Sequence, residues 1–271
     1  MKMKRKISGS SLLFILLILG LSMSSCENET KDNPGPDGES ESYIPASNAK
    51  YEYTVTEDGE NIATATKWIN GSRDSSGLKL YNLHTINNIS GESMTMDNEL
   101  YVANGKTYTR ITAPEAWYMV IEELKKSPDI IVEEARLNGF PASMVMENAL
   151  REGSKLTWEV PETMGQYIRF KAKDSGDKIL EITQKLVHHP GEAENIETIT
   201  VPAGTFSCAK FVYKISQEQI LKINGQTATT VSGTETVTLW MAHGIGVVKE
   251  ESITVFDGST SSTITVLNKI Q

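Results

Sequence analysis

The stretch CAKFVYKI, residues 208–215, has two lysines spaced four residues apart among apolar side chains. Phe211, Tyr213 and Ile215 fall on one face of an extended strand, and the two lysines fall on the other. A period of two residues predicts a strand that is half buried. The same alternation recurs in residues 237–241 and 253–255. Because one face of each run is polar, the pattern predicts an antiparallel sheet with one solvated face rather than a parallel α/β sheet.

Turn signals separate these runs. Asn-Gly and Asp-Gly tolerate the positive φ angles of type I′ turns, so each pair predicts a hairpin between two strands. The pairs are Asp58-Gly59, Asn70-Gly71, Asn104-Gly105, Asn224-Gly225 and Asp257-Gly258. The segment 43–271 is long enough for one large β domain or two small ones, and we expect a single antiparallel β domain.

A helical insertion is predicted at about residues 112–152. Trp117, Val120, Ile121 and Leu124 recur at i, i+3, i+4 and i+7, which is the apolar stripe of an amphipathic helix. The insertion is either a core layer that covers one face of the sheet or a lid with a function of its own.

Two more helices are predicted within this insertion. Ser127-Pro128 can begin a second helix and Asn138-Gly139 can end it. The apolar side chains of residues 145–150 then predict a third helix before Gly153.

The N-terminus has the parts of an export signal. A basic head at residues 2–6 precedes the apolar run 12–21, which is shorter than the roughly twenty residues that span a bilayer. Ser24, Ser25 and Cys26 follow and resemble the lipobox of bacterial lipoproteins, with Met23 where that family usually has Leu. The resemblance implies that residues 1–25 are removed and that Cys26 carries lipid, palmitate being a typical chain. The alternative is an uncleaved membrane anchor.

The segment 26–42 is rich in acidic residues, Pro and Gly, and it lacks apolar periodicity. It is predicted to be a disordered tether. We therefore expect a lipid-anchored protein in the cell envelope of a Gram-negative bacterium, most naturally at the outer membrane, with a periplasmic or a surface-exposed domain. Loss of the four basic residues of the signal changes the formal net charge from −9 to −13. This charge argues against nucleic acid as a partner.

The sequence contains no arrangement of side chains that indicates catalysis. Cys208 lies in a strand without a basic partner motif, and it is predicted to be a buried, unreactive thiol. His188 and His189 are adjacent, so in a strand they point to opposite faces and cannot hold one metal ion. Zinc-binding, nucleophile-elbow and paired-carboxylate patterns are missing from the sequence. We expect no enzyme activity, no cofactor and no metal.

Two motifs resemble a family of exported bacterial domains of unknown function, called TapB-like. They are ETITVPAGTFSCAKFVYKI, residues 197–215, and ETVTLWMAHGIGVVKEES, residues 235–252. The resemblance covers about residues 140–271 and implies a mainly β fold, a curved antiparallel sheet or half-barrel distantly similar to the carriers LolA and LolB. It implies no established reaction. His243 stands where the family often has Pro before its G-x-G turn.

These observations leave two functions open. The first is a non-enzymatic binding or scaffold domain for an envelope protein, a glycan or a lipid. The second is a carrier of an apolar, lipid-like ligand in a cavity between the sheet and the helical insertion. A hydrolase would need a nucleophile, a base and an orienting group, and the sequence offers no such set. The candidate ligand or core contacts are Trp117, Val120, Ile121, Leu124, Met144, Met146 and Trp240.

Overall fold

The computed structural model describes residues 41–89, 91–173, 176 and 178–271. The signal peptide, Cys26 and nearly all of the acidic tether lie outside the described residues, so they stay predictions. Within the described part of the chain, no helix has the length and hydrophobicity needed to cross a bilayer.

Fifteen strands and one helix make up the described residues. The helix is α1 (Glu115–Lys126). The strands are β1 (Lys50–Glu57), β2 (Glu60–Ser75), β3 (Leu78–Ile89), β4 (Glu92–Ala103), β5 (Lys106–Ile111), β6 (Ile130–Asn138), β7 (Ala142–Glu147), β8 (Lys155–Glu159), β9 (Met164–Ala172), β10 (Lys178–His188), β11 (Gly191–Val201), β12 (Gly204–Ile223), β13 (Gln226–Ala242), β14 (Gly246–Phe256) and β15 (Ser259–Ile270).

Twelve of these strands pair into a closed antiparallel ring. The order around the ring is β1, β2, β3, β4, β5, β7, β8, β11, β12, β13, β14 and β15, and β15 pairs with β1 again. The long strand β12 pairs with β11 along its first half and with β10 along its second half. Strands β10, β9 and β6 therefore continue from β12 as a three-stranded extension. The predicted mainly β fold is confirmed, and its curvature carries the sheet round to closure.

The two ends of the ring are built differently. At one end, here called the proximal end, the leading residues 42–49 meet the turn between β13 and β14, where Gly244 N–H donates to the Ser42 carbonyl over 2.7 Å. The C-terminal Gln271 also pairs with Lys50 there. The opposite, distal end carries the tips of the β1–β2, β12–β13 and β14–β15 hairpins. Helix α1 lies at this distal end, and its Glu115 accepts a hydrogen bond from Thr95 Oγ1 over 2.6 Å.

Four of the five predicted hairpin turns are present, and one is wrong. The Asp or Asn of the four turns has φ near 50°, and each following glycine also has a positive φ. Asn70-Gly71 lies inside β2 instead, at a bulge where the pairing with β3 shifts between Ile69 and Ser72. The turn that connects β2 to β3 is Ser76-Gly77, which adopts the same positive φ angles.

The predicted insertion contains the first helix and not the other two. Ser127, expected to begin a second helix, ends α1 by donating its N–H to the Leu124 carbonyl over 3.2 Å. Residues 130–138 form β6, which begins with three β-branched side chains and pairs with β9. The predicted third helix is also wrong, since residues 142–147 form β7. Met144, Val145 and Met146 are all buried there in succession, as suits a strand packed on both faces.

Candidate functional site

The predicted contact residues lie in three separate apolar clusters. Trp117, Ile121 and Leu124 are buried under α1, with Val120 packed partly buried beside them. Met144 and Met146 belong to the core inside the ring. Trp240 belongs to a third cluster near the proximal end. The structure therefore does not bring these residues together into one site.

The helix packs closely on the three-stranded extension. Trp117 is 4% exposed, and its Nε1 donates to Gln166 Oε1 over 2.7 Å. The amide of Gln166 then donates to Gln184 Oε1 over 2.7 Å. Because the stripe of α1 packs against Ile168, Phe170 and neighbouring side chains, the helix forms a core layer over the extension.

The interior of the ring holds a small cavity whose lining includes four methionines and the polar side chains of Lys67, Thr85, Asn98 and Thr109. Its volume is about 20 Å³, which is room for about one water molecule. Met144 and Met146 line it, as predicted contacts, together with Met96 and Met241. Lys67 lines the same cavity although its side chain is almost completely buried.

Two acidic side chains lie inside the ring near Lys67, and they were not among the predicted site residues. Glu250 is 7% exposed and opposes Leu239 in the ladder between β13 and β14. The pKa of its carboxyl is raised to about 8, mainly by burial; Lys67 opposes the shift and the nearby Glu235 adds to it. Burial also raises the pKa of Glu235, against hydrogen bonds from Ser252 and Gln217.

A sequence signal for these buried charges existed. Lys67 alternates with Ala65 and Ile69, so all three share one face of β2. The face that carries Ala65 and Ile69 is the buried one, and the lysine therefore had to be buried with them.

A recess on the surface lies between α1 and β6. It has a volume of about 320 Å³, near the lower limit for small-molecule pockets. Apolar atoms of Trp117, Ile121, Val132 and Ala135 line it, and Tyr118 stands at its edge with 52% of its surface exposed.

Paired charges surround this recess, which we name the α1–β6 groove. On the helix, Lys125 Nζ lies 2.7 Å from Glu122 Oε1. On the strand side, Arg169 Nε lies 2.8 Å from Glu133 Oε2. The groove thus has an apolar centre and a polar rim whose charges are balanced.

Trp240 is a structural anchor on the outside of the ring. Its Nε1 donates to Glu197 Oε1 over 2.5 Å, and Lys249 Nζ lies 4.7 Å from the centroid of its ring. The ring is 8% exposed. With both its polar nitrogen and its face engaged, Trp240 offers little surface to a ligand.

The histidines and Cys208 do not form a site in the described residues. His188 contacts the Trp158 ring, whereas His189 lies 2.8 Å from Ser216 Oγ on the surface, so the two histidines do point apart. Among the described residues, no cluster of three metal-ligating side chains occurs. Cys208 is completely buried, and burial raises the pKa of its thiol to about 12, to which Glu197 contributes.

Residues 156–264 match a protein family described as DUF3108-like. The matched range contains both motifs on which the resemblance to exported domains rests. The chain is thus similar, over this range, to a family of unknown function. The finer TapB-like and LolA-like assignments stay predictions.

Two solved structures are similar to the chain at a low level. One is described as an exported protein with a YmcC-like fold from Bacteroides fragilis, with 14% identity, a TM-score of 0.42 and coverage of 84% of this chain and 97% of that one. The other is described as a lipoprotein from Parabacteroides distasonis, with 14% identity, a TM-score of 0.45 and coverage of 84% and 98%. No curated protein matches the chain.

Proposed function

We propose that this chain is a non-enzymatic binding domain, held at a membrane of the cell envelope by lipid on Cys26, which binds a partner protein through the α1–β6 groove. The observation that carries the proposal is the groove itself, with Tyr118 half exposed at its edge. An apolar centre with a polar rim is the usual anatomy of a protein interface, and Tyr and Met are enriched there.

Exposed apolar side chains on the two elements that form the groove support a protein partner over a glycan. Met119 on α1 is 48% exposed, and Ile131 on β6 is 45% exposed. Together with Tyr118 they add apolar area at the distal end, on the side of the domain opposite the leading residues 42–49. A tether that joins the domain at the proximal end leaves the groove directed away from the membrane.

Site-specific photo-cross-linking tests this function. A photoreactive amino acid replaces Tyr118 in the full chain expressed in cells, and the matched control replaces Ile253, which is 50% exposed on β14. We expect an adduct of discrete mass at position 118 and none at position 253. Adducts of equal yield at both positions, or none at position 118, would show that the groove is not a partner site.

A carrier of an apolar ligand is the second candidate. It is favoured by the methionine lining of the internal cavity, because methionine side chains rearrange around irregular apolar ligands. The carrier is the weaker candidate because the cavity, at about 20 Å³, is too small for a lipid-like ligand without rearrangement. Native mass spectrometry of the purified protein tests it, because a carrier retains ligand. A protein of unliganded mass that fatty-acid probes do not stabilise would exclude the carrier.

A further inference from the structure

The joint between β8 and β11 is the shortest ladder of the ring in the described residues. Only Lys155–Glu192 and Leu156–Gly191 oppose each other in the ladder. Two further backbone bonds extend it on one side, where Gly153 N–H donates to the Ala193 carbonyl and Ala193 N–H donates to the Ser154 carbonyl, each over 2.8 Å. By contrast, the ladder between β12 and β13 extends along β12 from Ala209 to Ile223. The Lys155–Glu192 ion pair that crosses the joint is more than half exposed on both sides and adds little.

On the side of the joint towards Trp158, side chains rather than backbone pairing continue the wall. Trp158 of β8 lies against His188 of β10, with 4.1 Å between ring centroids. On its other side Trp158 contacts Tyr213 of β12, with 5.6 Å between centroids. The Trp158–His188 contact therefore spans the gap that the β8–β11 ladder leaves open.

This contact leaves polar atoms buried and unsatisfied. Trp158 Nε1 and both ring nitrogens of His188 lack a hydrogen-bond partner among the described residues. A buried donor or acceptor without a partner costs stability, whereas the same atom in water regains its hydrogen bonds. Separating the two rings costs their contact energy, but it exposes these atoms to water, and the regained hydrogen bonds offset part of that cost.

We propose that the β8–β11 joint is a seam at which the ring opens sideways, that Trp158 and His188 are its latch, and that acidification opens it. This inference is independent of the partner site in the α1–β6 groove. The strand next to β8 in the ring is β7, which carries Met144 and Met146. An open seam therefore gives solvent or a ligand access to the methionine-lined cavity.

The effect of pH follows from the burial of His188. Burial, with a smaller contribution from His189, lowers the pKa of His188 from 6.5 to about 4 in the closed ring. The other titratable groups at the seam include Tyr213 on β12, Glu147 on β7, whose carboxylate accepts the Lys155 N–H over 3.0 Å, and the exposed Lys155–Glu192 pair. Because the closed state resists protonation, a fall from pH 7 to pH 5 favours opening by about twentyfold.

Hydrogen exchange of the purified full chain, followed by mass spectrometry, tests the seam. After correction for intrinsic exchange, we expect protection of the amides of residues 155–158 to fall at least tenfold from pH 7 to pH 5. Protection in the β12–β13 ladder should stay constant over the same range. A parallel loss in both regions, or no loss at residues 155–158, would overturn the proposal.

Two variants and a control assign the effect to the latch. His188→Phe keeps an aromatic ring and removes the titration, so protection at residues 155–158 should become independent of pH. His189→Gln, which changes an exposed neighbour, should behave like the native chain. A disulfide between Lys155→Cys and Glu192→Cys closes the seam covalently and must also abolish the pH effect. Persistence of the effect in either the His188→Phe or the disulfide-closed protein would contradict the proposal.

Discussion

Trp117 Nε1 donates a hydrogen bond of 2.7 Å to Gln166 Oε1, and this bond joins helix α1 to strand β9. The rest of the indole is buried among the apolar side chains of the extension. The contact explains why the predicted helix is present although its neighbours in sequence form strands. An amphipathic helix is stable in a protein when its apolar face is covered, and the extension supplies that cover.

Trp117→Ala should destabilise the domain by about 3–5 kcal/mol, because it removes a large buried side chain and leaves a cavity. Trp117→Phe should cost less, since it keeps most of the apolar contact and loses the hydrogen bond to Gln166. Tyr118→Ala is the matched control and should change stability by less than about 0.5 kcal/mol. Urea denaturation measures the free energies of unfolding, and equal losses at positions 117 and 118 would contradict the tight packing.

Glu250 should impose a pH dependence on stability. Its pKa in the folded state is raised to about 8 from 4.5, so the folded state binds its proton more tightly than the unfolded state does. The contribution is full below pH 4.5 and is lost as the pH rises towards 8. Glu250→Gln should remove this contribution to the pH dependence of the unfolding free energy. The measurement is the unfolding free energy of the native chain and of the variant at pH 5, 6, 7 and 8.

A control for Glu250 lies next to it in sequence. Glu251 is paired with Lys249 at 2.5 Å and points to the opposite face of β14. Glu251→Gln should keep the native slope. Parallel curves for the native chain and Glu250→Gln would mean that this carboxyl is not the source of the pH dependence.

Cys208 should resist alkylation in the folded protein. Its thiol is buried, its pKa is raised to about 12, and only the thiolate reacts readily. In a Cys26→Ser background Cys208 is the one remaining thiol of the sequence. We expect a maleimide at pH 7.5 to label it in urea and not in buffer, as mass spectrometry would show. Rapid labelling of the native protein would place the thiol at the surface.

The lipid anchor is tested by labelling cells with a fatty acid. Cys26→Ser should abolish incorporation and leave the signal peptide uncleaved by the lipoprotein peptidase, because the thiol is the atom to which lipid is joined. Cys208→Ser serves as the control and should retain label. Incorporation that survives in Cys26→Ser would mean that Cys26 is not the site.

Local signals in the sequence were sufficient for four of the five predicted turns and for the strands whose apolar and polar side chains alternate. Asp58-Gly59 and Asn224-Gly225 predict hairpins because only a few residue pairs tolerate two successive positive φ angles. The same signal failed at Asn70-Gly71, where the long ladder between β2 and β3 absorbs the glycine as a bulge. Tertiary pairing overrode the turn signal there.

Closure of the ring and the site could not be read from local signals. The local pattern of residues 127–150 predicts helices, but β6 and β7 are strands because β9 and β5 pair with them. These partners lie outside that segment of the sequence, so a local pattern does not reveal them. The α1–β6 groove exists because a helix and a strand that follow each other in sequence pack side by side. Of the predicted contacts, Trp117 and Ile121 line the groove, but Tyr118 carried no signal, since an exposed aromatic residue on a helix is common.

Strand β6 pairs along one side only among the described strands, with β9. An open strand edge is a template on which further copies of a chain can stack into aggregates. The pairing of β6 shifts at a bulge between Val132 and Glu134, and Glu134 and Arg136 place charges along it. Copies held by the proposed lipid anchor would be concentrated on a membrane surface, where edges of neighbouring molecules collide often. The bulge and the charges make β6 a poor template, so crowding of the anchored protein need not lead to fibres.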